Sequence, residues 1–346
     1  MRVGMIAPVT HAYPPSGYGP WERVTHDLTE RLVANGHDVT LFAPAGSATS
    51  AHLVETIDHP LTDNPTRNPR LEEQIHLAIA METAADLELD VVHSHLHVHG
   101  LVFSGLAPFP IVTTLHGAAW DEAHHPLLLR YSNLPFVSIS DRERSFLPML
   151  NYVATIPHGL RMSDFEPGSG NGGYVAYVGR IAPEKAPDLA IEAAVKAGIP
   201  LLMAGPIDGA HQQYFDQLMR GLPKDVDYLG PLERSDLDML LGDAVALIMP
   251  LRWHEPFGLV VIEALASGTP VVAWEMGAMP EIIEDGVTGY LVEDASEAAN
   301  ALTSAGAIDR RSCRESAESR FSDVRMAHDY ESVYEQVRAH SMASRI

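Results

Sequence analysis

Short apolar, β-branched runs alternate with stretches of helical period along the whole chain. In the first half, Arg2–Ala7, Asp38–Phe42, Asp90–His93, Ile111–Leu115, Phe136–Ile139 and Ala154–Ile156 predict strands. Pro20–Ala34 predicts a helix, with proline at its first position and Gly36 just past its end. Ser140-Asp141-Arg142-Glu143 has the pattern of a capping box opening another helix. Glycine and proline then crowd the run Pro157–Gly173, which predicts an interdomain linker centred on 161–173. The alternation restarts with strands expected at Tyr174–Val178, Leu201–Ala204, Val226–Tyr228, Ala244–Met249, Val271–Ala273 and Tyr290–Val292. Asp188–Lys196 predicts a helix closed by Gly198, with Glu192 and Lys196 one turn apart. Over Ser322–Ala339, the residues Met326, Tyr330, Val333, Tyr334 and Val337 recur at helical spacing. That helix is expected to pack back across both domains.

Strands alternating with helices predict parallel α/β layers. The fold expected is two Rossmann-like, doubly wound domains, 1–160 and 174–321, facing an interdomain cleft, with 322–346 as a terminal helix. Ligands of such sheets bind outside the carboxyl ends of the strands, so both sets of ends are expected to line that cleft.

Composition narrows the function classes. The 346 residues carry 46 acids against 23 bases, a net charge of −23. A chain so acidic lacks the basic footprint that nucleic acid or an anionic lipid surface requires. No apolar run approaches the ~18 residues of a membrane span. Cys313 is the single cysteine, so there is no intrachain disulfide. It sits among Arg310, Arg311, Arg314 and Glu315, remote from any motif. The strand-like start at Met1 shows no signal-peptide pattern, and the expectation is a cytoplasmic protein. Only Lys185, Lys196 and Lys224 are lysines, so an anion site must draw on arginine, one lysine and helix termini.

The richest chemistry lies in His254-Glu255-Pro256-Phe257-Gly258-Leu259-Val260-Val261-Ile262-Glu263. Pro256 and Gly258 stand where a short apolar helix, Leu259–Ser267, begins. A helix N-terminus offers free N–H groups and a partial positive charge, which suit a phosphate. Glu255 stands at that mouth. Glu263 lies a little over one turn inside, among apolar neighbours where a carboxylate needs a partner. A phosphate flanked by two carboxylates is the layout expected for a nucleotide-sugar.

Arg180 and Lys185 follow the strand Tyr174–Val178 and can reach a diphosphate at the strand ends, where charge builds on the leaving group. Two exposed surface cations are the competing reading; the turn context and the scarcity of lysine favour the diphosphate. Arg252, just upstream of Glu255, is read first as a structural cation. Gly17 and Gly19, between the first strand and its helix, can bring amides to the distal phosphate, although Gly-x-Gly by itself also describes an ordinary turn. His11 shares that loop. His116 and Gly117 follow the strand Ile111–Leu115, a strand-end position suited to a sugar hydroxyl. His93, His95, His97 and His99 alternate, but a strand passing into a loop and helix is expected to scatter their rings, so no metal site is expected. Asp121 and Glu122 are further candidates for a carboxylate near an acceptor.

Three motifs in order, Gly17-Tyr18-Gly19, the Gly179-Arg180-Ile181-Ala182-Pro183-Glu184-Lys185 turn and the Glu255–Glu263 segment, resemble glycosyltransferase family 4. These are retaining enzymes of the GT-B fold. The short length and the entry loop Pro14-Pro15-Ser16-Gly17-Tyr18-Gly19 are most similar to the subgroup containing the avilamycin glycosyltransferase. The resemblance covers nearly the whole chain. It implies a nucleotide diphosphate-sugar donor on the C-terminal domain, an acceptor on the N-terminal domain, and a front-face reaction without a bound metal or other cofactor. It assigns donor-sugar contacts to Glu255 and His116 and ribose contacts to Glu263. Diphosphate contacts fall to Arg180 and Lys185, and backbone contacts to Phe257, Gly258 and Leu259. Gly205 and Leu229, on loops after two strands, fall near the base; such backbone contacts do not distinguish uracil from guanine. Two motifs depart from the family pattern: its first glycine pair is Gly19-Pro20 here, and its Gly-Gly before Pro-Glu is Gly277-Ala278-Met279-Pro280-Glu281.

The expected activity is transfer of a hexose from a nucleotide diphosphate-sugar, UDP-sugar foremost, to a small soluble acceptor. The alternatives are a GT-B phosphorylase, a nucleotide-sugar epimerase, or a nucleotide-sugar-binding protein without catalysis.

Overall fold

The computed structural model describes residues 1–17, 19–63 and 66–343. They fall into two compact units. Met1–Pro15, Gly19–Gly159 and the chain from Asp323 onward form the first; Leu160–Ser322, with Ser16 and Gly17, forms the second.

The first unit is built on seven parallel strands: β1 (Arg2–Ile6), β2 (Asp38–Ala43), β3 (His52–Glu55), β4 (Val91–Ser94), β5 (Ile111–Thr114), β6 (Phe136–Ser138) and β7 (Tyr152–Thr155). Their order is β3-β2-β1-β4-β5-β6-β7, so the winding reverses between β1 and β4. β3 is absent from the sequence expectation. It is a four-residue edge strand whose side chains are only partly covered, so it has no sustained apolar run. The helix Pro69–Asp86 was also not anticipated. Its apolar face is narrow: Leu77, Ala80 and Ala84 pack with Ile6, Phe42 and Val92.

The helix Asp323–Ala343, last in the chain, completes this first unit. Tyr330 and Tyr334 are fully buried. The Tyr334 hydroxyl lies 2.8 Å from His93 Nδ1, and the Tyr330 hydroxyl 2.8 Å from Thr114 Oγ1. Arg31 donates to Asp323 at 2.9 and 2.7 Å, and Arg325 donates to the carbonyls of Pro157 (2.7 Å) and His158 (3.1 Å).

The second unit has six parallel strands: β8 (Val175–Val178), β9 (Leu201–Ala204), β10 (Val226–Tyr228), β11 (Ala246–Met249), β12 (Val271–Trp274) and β13 (Gly289–Val292). Their order is β10-β9-β8-β11-β12-β13, and the reversal falls between β8 and β11. β11 and β12 are buried throughout, as sheets covered on both faces require.

The glycine-rich run is not slack chain. The amides of Gly168, Gly170 and Gly172 donate to the carbonyls of Ser267 (2.9 Å), Gly242 (3.1 Å) and Asp243 (2.9 Å). A Cβ on Gly168 would overlap the backbone of Gly242. Its glycines therefore permit close backbone packing. Arg310 ties this seam from the other side, donating to the carbonyls of Gly168 (3.1 Å), Gly242 (2.7 Å) and Ala244 (3.1 Å) and to Thr269 Oγ1 (2.7 Å). Cys313, on the same helix Arg310–Arg320, is fully buried despite its charged sequence neighbours, and burial pushes its thiol up to about 12.

Removing a guanidinium that satisfies several inward carbonyls leaves them unpaired. Arg310→Ala is expected to destabilise the second unit by about 2–4 kcal/mol. Denaturant unfolding, followed by a probe in that unit, reads the change; a midpoint within error of the parent would contradict it.

Candidate active site

In the second unit the candidate charges gather after β8 and β11, the two strands flanking the reversal. Lys185 closes a 3₁₀ turn, Pro183–Lys185, and its Nζ pairs with the Glu255 carboxylate. Both side chains are largely buried. Nζ also lies over the Trp253 ring, 4.7 Å from its centroid, so the ammonium is held by a carboxylate and an aromatic face together. Arg180, on the loop after β8, donates to Glu184 at 3.0 Å and lies 4.0 Å from Asp208. Arg252 makes a bidentate pair with Asp188 at 2.7 and 2.6 Å, and Asp188 also accepts from the Tyr214 hydroxyl at 2.8 Å. Arg252 is thus engaged in structure, as its first reading held.

The helix Leu259–Ala266 begins at Gly258, whose φ of 103° only glycine adopts readily. A Cβ there would press on Met279 Cε at 2.8 Å. Phe257 is buried and packs edge-on against Phe321 at 6.0 Å. Leu259 opens the helix. Glu263 meets the partner its apolar setting demands: Arg234 donates to it at 2.7 Å and also holds Asp238. Arg234 in turn stacks over Phe165 at 4.3 Å. Arg234 is not among the residues expected from the sequence; its i,i+4 spacing to Asp238 is the signal that points to it. Gly277, at φ 63°, packs directly on the backbone of Glu255, and the Ala278 amide donates to the Glu255 carbonyl at 2.9 Å. The departure Gly277-Ala278 therefore keeps glycine where the backbone needs it. Gly205, after β9, has φ 143° and no room for a Cβ beside the Gly179 carbonyl; Leu229, after β10, is exposed.

In the first unit, Gly19 precedes the helix Pro20–Ala34, and a Cβ there would press on Pro15 at 2.8 Å. Gly17 is exposed, and Tyr18 lies outside the described residues. Three of the four alternating histidines come together with His116 rather than scattering. The ring centroids of His93 and His95 are 4.0 Å apart, those of His95 and His116 5.1 Å, and those of His97 and His116 6.0 Å. His158 stacks on His116 at 5.1 Å. Trp21 packs against His97 at 4.4 Å. His93 lies in β4 and the others follow β1, β4, β5 and β7, around the reversal of the first sheet. Only His99 stands apart, 3.7 Å from Glu73. Among the described residues, no trio of His, Cys, Asp or Glu has metal-holding geometry. Asp121 is spent as a cap, accepting from the Ala123 amide at 2.9 Å.

His116 itself has φ 49°, an uncommon backbone for a side chain. Glu143 explains how it is held. Ser140 caps its helix as expected, accepting from the Glu143 amide at 3.0 Å. The Glu143 carboxyl is fully buried and accepts from the amides of Ile139 (2.9 Å) and Gly117, bracing the turn after His116. Burial raises this carboxyl to about 7.

Burial also sets the protonation of the rings. His93, His95 and His116 are held well below the ordinary 6.5, His76 near 4 and His158 near 3, chiefly by desolvation. Above pH about 7 these imidazoles are neutral in both the folded and the unfolded chain. As pH falls through 6.5, the unfolded chain takes up protons that the folded chain refuses, and stability is lost. Glu143 opposes them: its stabilising retention of a proton is complete below about 4.5 and fades as pH rises to about 7. Each differential proton is worth about 1.4 kcal/mol per pH unit, and five rings outweigh one carboxyl. The first unit is expected to lose several kcal/mol between pH 6.5 and 5. Denaturant midpoints at pH 7.5, 6 and 5 measure this, and a flat profile would exclude buried neutral rings.

Comparison with known proteins follows the same division of the chain. Glycosyltransferase Family 4 matches residues 21–145, and Glycosyl transferases group 1 matches residues 163–319. A D-inositol 3-phosphate glycosyltransferase of Mycolicibacterium smegmatis is 30% identical over 316 residues, spanning 76% of this chain and 72% of that protein. AviGT4, a glycosyltransferase involved in avilamycin A biosynthesis, is similar with a TM-score of 0.76 at 21% identity, covering 98% of both chains. Sucrose-phosphate synthase from Thermosynechococcus elongatus reaches 0.83 at 22% identity, covering 98% of this chain and 100% of its own. With two parallel Rossmann-like sheets, these matched segments and that relative, the chain belongs to glycosyltransferase family 4, the retaining GT-B enzymes that use nucleotide-sugar donors.

Proposed function

We propose that the protein moves a hexose from a UDP-sugar to a small soluble acceptor, with retention and by a front-face reaction. The observation that carries this is the Lys185–Glu255 pair over Trp253 at the reversal of the second sheet. Two largely buried charges neutralise each other there, beside the N-terminus of the helix Leu259–Ala266. A donor would divide them: its diphosphate takes Lys185 and Arg180, and a sugar hydroxyl, O3 in the family pattern, takes Glu255. Phe257, Gly258 and Leu259 supply amides, Glu263 takes the ribose, and Gly205 and Leu229 border the base. In the family pattern His116 takes a sugar hydroxyl, and Gly17 and Gly19 offer amides to a phosphate. A structure of similar fold, Anabaena Alr3699/HepE, was solved with UDP and glucose (TM-score 0.73, 20% identity). A relative named for D-inositol 3-phosphate supports a small acceptor.

In the front-face step, the acceptor oxygen bonds to the anomeric carbon on the side from which the UDP oxygen leaves. The acceptor's proton passes to a phosphate oxygen of the departing UDP. The protein's part is to stabilise charge on that leaving group, which is the work of the Lys185 and Arg180 cations and the helix amides. The net acidity of the chain supports a soluble acceptor over an anionic membrane. Among the described residues no helix is long and apolar enough to cross one.

Lys185→Gln and Glu255→Gln are each expected to lower kcat by about 10²–10³ with the fold retained; full activity in either refutes the site. Glu263→Gln is expected to raise the donor Kd about tenfold, roughly 1.4 kcal/mol, with little change in kcat. A thermal-shift series over UDP, GDP, ADP and their sugars tests the base, because a ligand at 100 times its Kd adds about 2.7 kcal/mol to the folded state. A shift confined to GDP-sugars would overturn the UDP assignment.

A further inference from the structure

His95 and His116 are joined at their ring nitrogens. His95 follows β4, His116 follows β5, and Nδ1 of His95 lies 2.8 Å from Nε2 of His116. Both rings are buried, and burial keeps both neutral. Each neutral imidazole carries one N–H and one lone pair, so one proton lies between them and the other must sit at one of the two outer nitrogens. Those outer atoms, His95 Nε2 and His116 Nδ1, are buried without a hydrogen-bond partner. His93 stacks on His95 but cannot serve either, because its own nitrogens are taken by Tyr334 and Thr114, each at 2.8 Å.

The arithmetic leaves two states. If His95 donates across the bond, His116 carries its N–H at Nδ1 and offers a donor. If His116 donates, its Nδ1 is a lone pair and offers an acceptor, and the outer N–H moves to His95 Nε2. The outer ends are always complementary. An isolated His116 would settle its tautomer by local chance; here the partner ring decides it.

We propose that His95 is the positioning residue for His116: its ring holds the His116 plane and ties the His116 tautomer to its own, so that Nδ1 meets a sugar hydroxyl as a defined donor or acceptor. This rests on the reading that His116 contacts a sugar hydroxyl. A hydroxyl suits such a pair because it can both give and accept a hydrogen bond. The Glu143 brace on Gly117 and the stacked His158 fix the same ring from its backbone and its face, leaving His95 to fix its protons.

Two variants separate this from simple packing. His95→Asn places an amide near the old Nδ1 and can still bond His116 Nε2; His95→Leu fills space without a partner. With UDP-glucose as the probe, His95→Leu is expected to lose about 10- to 100-fold in kcat, the scale seen when a histidine's orienting partner is removed. KM is expected to stay within about threefold, and His95→Asn to recover most of the loss. Thermal midpoints of both variants establish that they fold. Ring-nitrogen NMR of the ligand-free, 15N-histidine-labelled protein provides a readout independent of activity. The wild type should show nitrogen–nitrogen coupling across the bond, and the His116 ring shifts should move in His95→Leu. Unchanged His116 shifts in His95→Leu, or an equal kcat loss in both variants, overturns the proposal. If the wild type turns over no nucleotide-sugar, the donor reading fails, while the NMR comparison still decides the coupling.

Discussion

A parallel strand must be covered on both faces, because its neighbours can be reached only by crossovers that pass over the sheet. In this protein that constraint organises everything else. Crossovers that first wind one way and then the other must separate somewhere, and the gap opens at the carboxyl ends of the two strands flanking the reversal. β1 and β4 flank it in the first sheet, β8 and β11 in the second. The segments after those strands carry Trp21, His95 and His97 in one unit and Arg180, Lys185 and Glu255 in the other. The candidate groups sit where the sheet cannot cover itself.

At each reversal, the groups are satisfied by one another in a different way. The second unit pairs opposite charges: Lys185 with Glu255, Arg234 with Glu263, Arg252 with Asp188. Partly buried ions need such partners. The first unit avoids charge. Its rings are buried neutral and bond through single protons, to tyrosine, threonine and one another. The terminal helix contributes Tyr334 to His93 and Tyr330 to Thr114, so the last segment of the sequence is structurally part of the first unit's core.

Much of this was legible beforehand. The period-two and period-3.6 patterns placed twelve of the strands to within two residues, because parallel strands are nearly continuous apolar runs. Glu263 announced its need for a partner by standing in an apolar stretch. β3 escaped because an edge strand needs no apolar run, and the helix Pro69–Asp86 because its buried stripe is mostly alanine. The alternating histidines misled in the opposite direction: their spacing suggested dispersal, yet His93, His95 and His97 converge with His116, because adjacent strands β4 and β5 bring their loops side by side.

The sequence by itself determined the class of fold and the family, since these depend on local periodicity and on motifs short enough to be read along the chain. Tertiary structure decided which charges pair, which imidazoles lose access to protons, and that Glu143 braces the turn after His116. Those outcomes depend on distances between residues far apart in the chain and on how much water each site retains. Both are set only when the sheets are assembled and their faces covered.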